Sequence, residues 1–134
     1  MKQFTHHLGL LILRLAIGGL MLFHGINKVF NGIDGLVGMM SNKGFPGFTA
    51  YGVYLGEVIA PIMLIIGFRS KIASLLVAAT MLVAIFFVHS ADIVQLGKNG
   101  QWGIELPMLF LLGSVSIFLL GGGKFSVSSK KRWD

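Results

Sequence analysis

Hydrophobic residues in this chain do not alternate with polar ones. They gather into four runs, near residues 8–30, 51–68, 72–89 and 104–120. Each approaches the roughly 20 residues that carry a helix across a bilayer, so the pattern predicts four transmembrane helices. The connections differ in kind. Gly67–Lys71 reads as a tight turn, and 91–103 as a polar loop that turns at Asn99-Gly100, with Trp102 as an interfacial anchor. Segment 31–50 is rich in Gly, Pro and Asn, yet it places Ile33, Leu36, Val37, Met39 and Met40 at near-helical spacing. It reads as a short interfacial helix and a Lys43–Phe48 turn, laid as a lid over one mouth of the bundle. Met1–His7 is a polar cap and 124–134 a basic tail. The expected fold is all-α: an integral membrane, antiparallel four-transmembrane-helix bundle forming one domain over 1–134.

Composition narrows the class. The chain has 134 residues, 54% hydrophobic and 12% charged, with a mean hydropathy of +0.82. That is too apolar for an ordinary soluble domain. The first run is longer than a signal-peptide core and no small-x-small site follows it, so it reads as a retained span. Cysteine is absent, which excludes disulfides, thiolate nucleophiles, iron–sulfur clusters and a CxxC redox pair. If electrons pass here, a bound cofactor, a substrate or a partner protein carries them.

The net charge of +6 is placed for a membrane surface rather than for nucleic acid. Lys2, Arg69, Lys71, Lys124, Lys130, Lys131 and Arg132 fall on one side, against Lys28, Lys43 and Lys98 on the other. Lys and Arg are retained in cytoplasmic loops and attract anionic headgroups. The expected location is the bacterial inner membrane, multi-pass, with both termini cytoplasmic and both longer loops outside. Membrane lipid is a partner on this reading and nucleic acid is not.

Candidate chemistry lies where the apolar runs are interrupted. Ionisable side chains inside a span are costly and normally face a bundle interior or a water-filled cavity. The first run carries Arg14, His24 and Lys28. His24 and Lys28, four apart, share a helix face, and Arg14 lies within roughly 80° of both on the helical wheel. Glu57 sits inside the second run, four residues before Pro61, whose missing N–H frees the Glu57 carbonyl. His89 closes the third run and Glu105 opens the fourth. Antiparallel folding brings His24, Glu57, His89 and Glu105 to one level, with Lys28 and Asp92 at the rim and Glu57 at the centre. Small residues, Gly18-Gly19 and the Gly52/Gly56 pair, mark close helix contacts.

Taken in order, Arg14–Gly18 leading to His24–Lys28, the Gly44-Phe45-Pro46-Gly47 turn, Gly56-Glu57, Gly67-Phe68-Arg69, His89, and Glu105 with Pro107 resemble the DoxX family. These are small four-helix bacterial membrane proteins, and the resemblance runs from Leu8 to about Phe125. It implies polar positions at Arg14, His24, Lys28, Glu57, His89 and Glu105. Relatives include a membrane subunit of a thiosulfate:quinone oxidoreductase, while distant eukaryotic ones act as a cargo receptor and an assembly chaperone. The expected function is a quinone-interacting subunit of a membrane oxidoreductase, working with other membrane or redox subunits and open to homo-oligomerisation. His24, Glu57, His89 and Glu105 are the expected catalytic groups; Arg14, Lys28 and Glu57 bind substrate. Alternatives are a non-enzymatic assembly or binding partner, a small-molecule or lipid transporter, and a haem or metal site on the His and Glu residues.

Overall fold

The computed structural model describes residues 1–134; its regular structure is helical, with no strand beyond an isolated Leu96–Trp102 bridge, and 95–104 and the tail 121–134 are irregular. Its elements are α1 (Lys2–Asn31), α2 (Asp34–Asn42), α3 (Gly47–Ile66), α4 (Ser70–Val88) and α5 (Glu105–Leu120). By length and composition α1, α3 and α4 could each cross a membrane. α5 is apolar but only 16 residues long, about 24 Å against a hydrocarbon core of about 30 Å. Helix also extends over the expected N-terminal cap, and α3 begins a turn earlier than its apolar run.

α1 buries Leu10, Arg14, Ile17, Gly18, Met21 and Gly25, a stripe with steps of three and four that defines its core face. The residues it meets fix the direction of its neighbours. A Cβ at Gly25 would strike the Glu57 carbonyl, and one at Gly18 would stand 2.9 Å from the Pro61 carbonyl. Arg14 meets Leu64 and Ile65. Rising numbers in α3 therefore match falling numbers in α1, and the two helices are antiparallel. The same holds for α5, where Phe110 touches His24, Gly113 faces Ile17 and the following Gly123 faces Leu10. Between these helices Ile17, Met21, Ala60, Leu64, Val77, Met81, Phe110 and Ile117 form the main core.

The turn from α3 to α4 is short for a structural reason. Gly67 takes a left-handed conformation (φ 74°), and the bonds Phe68 N–H to Met63 O and Gly67 N–H to Leu64 O close a Schellman motif. Arg69 is also left-handed (φ 45°), a strained setting for a residue with a Cβ. At the other end of the molecule α2 packs separately. Ile33, Met40 and Ala50 form a small second core, with Val37, Tyr54 and Phe87 against it.

Candidate functional site

Two stretches of wide helix mark the site. Leu55–Ile59 in α3 and Ala84–Val88 in α4 are π-helical, a local widening that recurs at functional sites. In α3 it falls just before Pro61, the residue that cannot continue an ordinary hydrogen-bond ladder. Glu57 lies within this turn and is 5% exposed. Its carboxylate accepts a hydrogen bond from the Lys28 ammonium, so the two charges form one pair linking α1 and α3. The Tyr54 hydroxyl donates to the Lys28 carbonyl at 3.2 Å and ties the same helices one turn higher.

The pair faces a partly open cavity of about 690 Å³ lined by all five helices. Met21, His24 and Lys28 line it from α1, Leu36 and Met40 from α2, and Val53, Gly56 and Glu57 from α3. Leu76, Thr80, Ala84 and Val88 come from α4, and Leu106, Pro107 and Phe110 from α5. The walls are mostly hydrocarbon, with a few ionisable groups on the α1 side and His89 at the rim. The His24 ring meets Phe110 edge-on, with centroids 5.9 Å apart. His89 Nδ1 lies 2.9 Å from an Asp92 carboxylate oxygen. Thr80 donates its hydroxyl to the Leu76 carbonyl at 2.9 Å. With its polar atom occupied within the helix, Thr80 adds little polarity to the cavity.

His24, Lys28, Glu57 and His89 thus share one cavity, whereas two other candidates stand apart. Arg14 is 1% exposed at the opposite end. Its guanidinium donates to Leu64 O (2.9 Å), Ile65 O (3.1 Å), Gly122 O (2.7 Å) and Phe125 O (2.8 Å). Four of its five N–H donors are thus taken by carbonyls. Two of these carbonyls belong to the last turn of α3, where helix carbonyls lack partners and the helix dipole is negative. Arg14 therefore ties helix ends together and does not reach the cavity. Glu105 is exposed and does not line the cavity, although its neighbours Leu106 and Pro107 do. It occupies the first turn of α5, where an acid complements the helix dipole.

The freed Glu57 carbonyl also differs from expectation. It presses on the backbone of Gly25, so it is spent on a close helix contact rather than offered to the cavity. His24, Glu57, His89 and Glu105 do not gather three ligating side chains in one place. Thr80, Tyr54 and Phe110 lie outside the pattern of ionisable groups that the sequence marks. A lone threonine and a tyrosine in apolar runs were the available signals; nothing local distinguished Phe110.

An apolar cavity among membrane-length helices, with an ion pair at its wall, defines a class of small helical membrane proteins. The DoxX family model matches residues 9–90, and the chain belongs to the DoxX family. It is 30% identical over 117 residues to the protein named "Putative oxidoreductase CatD" of Bacillus subtilis (strain 168), covering 87% of this chain and 82% of that one. No solved structure matches.

Proposed function

We propose that this DoxX-family chain is a four-transmembrane-helix subunit of a membrane oxidoreductase and that its cavity receives a quinone. The Lys28–Glu57 pair at the wall of an apolar cavity carries this reading. Ligand sites of this size are mostly hydrophobic with a few placed polar groups that fix orientation, and a quinone ring with two carbonyl oxygens matches that lining. The name of the Bacillus relative supports an oxidoreductase role. A quinone would supply two-electron, two-proton chemistry. Lys28 and His24 offer N–H donors to a carbonyl oxygen, and Glu57, joined to Lys28, can hold or release a proton beside them. The reducing equivalents come from a partner redox subunit. Exposed residues such as Phe23, Phe86, Leu109 and Leu119, each more than 60% exposed, are accounted for by lipid around the helices. α2 serves as the lid over the cavity.

The test is Glu57→Gln, which keeps shape and removes charge and proton exchange. Quinone binding or quinone-linked activity is expected to fall at least about tenfold, the loss of one charged hydrogen bond, while the protein still folds. A second reading has its own support: Glu57 already has a partner in Lys28, as a purely structural pair in a non-enzymatic binding protein would. On that reading Glu57→Gln lowers thermal stability and leaves binding intact. Full activity at full stability overturns both.

A further inference from the structure

The cavity is lined by some residues that also lie on the outer surface of the helices. Leu55 of α3 and Val83 of α4 face it, yet they are 44% and 47% exposed. Ala79, one turn before Val83, is likewise both lining and exposed. On α4 these two belong to the flank that carries Leu82 and Phe86, away from the buried Val77, Ala78 and Met81. The cavity therefore reaches the outside between α3 and α4, at the depth of the apolar spans.

Three further features give this cleft a chemical character. Gly56 lets the Thr80 side chain come against the α3 backbone, so the helices meet at close range at its base. Thr80 turns its hydroxyl back to Leu76 O, leaving the cleft apolar. Across the cavity, on the α1 side, stand His24, Lys28 and the Glu57 carboxylate. The mouth toward the neighbouring loops is roofed by Leu36 and Met40 of α2. Exposed His24 and Leu106 also line the cavity on the α1–α5 side, where the ionisable groups stand. The α3–α4 cleft, by contrast, is apolar and reachable by a molecule dissolved in hydrocarbon.

We propose that the ligand enters sideways from the lipid between α3 and α4, and that it is an amphiphile with a long apolar tail. Its polar head meets Lys28 and Glu57, and its tail lies in the cleft of Leu55, Ala79 and Val83. This rests on the quinone reading above and adds the route and the tail. Apolar surface removed from solvent by such a tail contributes to affinity in proportion to its area, so a tail-less head group binds more weakly.

The experiment uses the full chain in nanodiscs with two probes: a benzoquinone without a side chain and the same ring with a prenyl tail. Ala79→Trp fills the cleft without touching the polar wall, and Ala16→Trp, exposed on α1 and outside the cavity, controls for an added indole. Ala79→Trp is expected to weaken the tailed quinone at least about tenfold, as loss of a few buried methylenes does, and to leave the tail-less one unchanged. A prenyl quinone bearing a photoreactive group at its tail end is expected to label α3 and α4 near Leu55 and Ala79–Val83 in the unaltered protein. Labelling confined to α2 or to the α1–α5 side overturns the route, as does an equal effect of Ala79→Trp on both probes. If the unaltered protein binds both probes and Ala79→Trp alters neither, the route falls and the quinone reading stands. If it binds neither probe, the quinone reading itself falls and takes the route with it.

Discussion

Arg14 shows why residue type and depth do not settle a role. Its sequence position beside the His24/Lys28 face suggested a binding group, but four backbone carbonyls hold it. Arg14→Met should leave the Ile65, Gly122 and Phe125 carbonyls without that donor in an apolar setting, and Leu64 O with only the Gly67 N–H. A loss of at least about 3 kcal/mol is expected, since hydrogen bonds to a charged group contribute about 1.5–3 each. Thermal unfolding in detergent checks this. Arg14→Lys should recover part of it, because an ammonium lacks the planar fork that reaches four acceptors. Ligand affinity of the folded fraction should be unchanged in both. Asp134 gives a pH signature in the tail. The Ser128 hydroxyl, opposed by burial and aided by the Lys131 and Lys130 N–H groups and the Arg69 charge, holds its carboxyl below the usual carboxylate range. A depressed carboxyl stabilises the folded tail fully above the ordinary carboxylate range, and this is lost as pH falls through the folded value. Proteolysis within Ser126–Asp134 should accelerate only in acid, and Asp134→Asn should flatten that dependence.

Among the helices, glycines decide which surfaces meet. Gly25 and Gly18 on α1 accept the Glu57 and Pro61 carbonyls of α3, and Gly56 accepts the Thr80 side chain. Gly19 and Gly52, which belonged to the same sequence motifs, have no atom that close. Gly25→Ala would drive a methyl into the Glu57 carbonyl, with no flexible atom to move aside. It should cost about 1–3 kcal/mol, as overpacking does, and separate Lys28 from Glu57. Gly19→Ala should be neutral. Comparing the melting temperatures of the two variants tests the assignment. The π-helical turns belong to this scale as well. Pro61 foreshadows the one in α3, while no proline accompanies the one in α4.

For the whole molecule the distribution of charge bears on direction in the membrane. The structure places Arg69, Lys71 and Lys124 at the Arg14 end, beside the turn and tail, and Lys28 at the cavity end. The charge asymmetry predicts that the Arg14 end is cytoplasmic. A reporter active only outside should be silent when fused after Asp134 and active when inserted near Asn99; the reverse pattern refutes the orientation. The sequence by itself determined that the chain is helical and apolar, with polar residues interrupting its long runs, because helix length and hydropathy are local properties. It also singled out Glu57, since an acid in such a run demands a partner. Only the tertiary structure decided that the partner is Lys28, that Arg14 is held by four carbonyls and that Glu105 lies outside the cavity. Those outcomes depend on the rotation and register of one helix against another. Periodicity places a residue on a face of its own helix, but which neighbour that face meets follows from the close contacts at Gly18, Gly25 and Gly56.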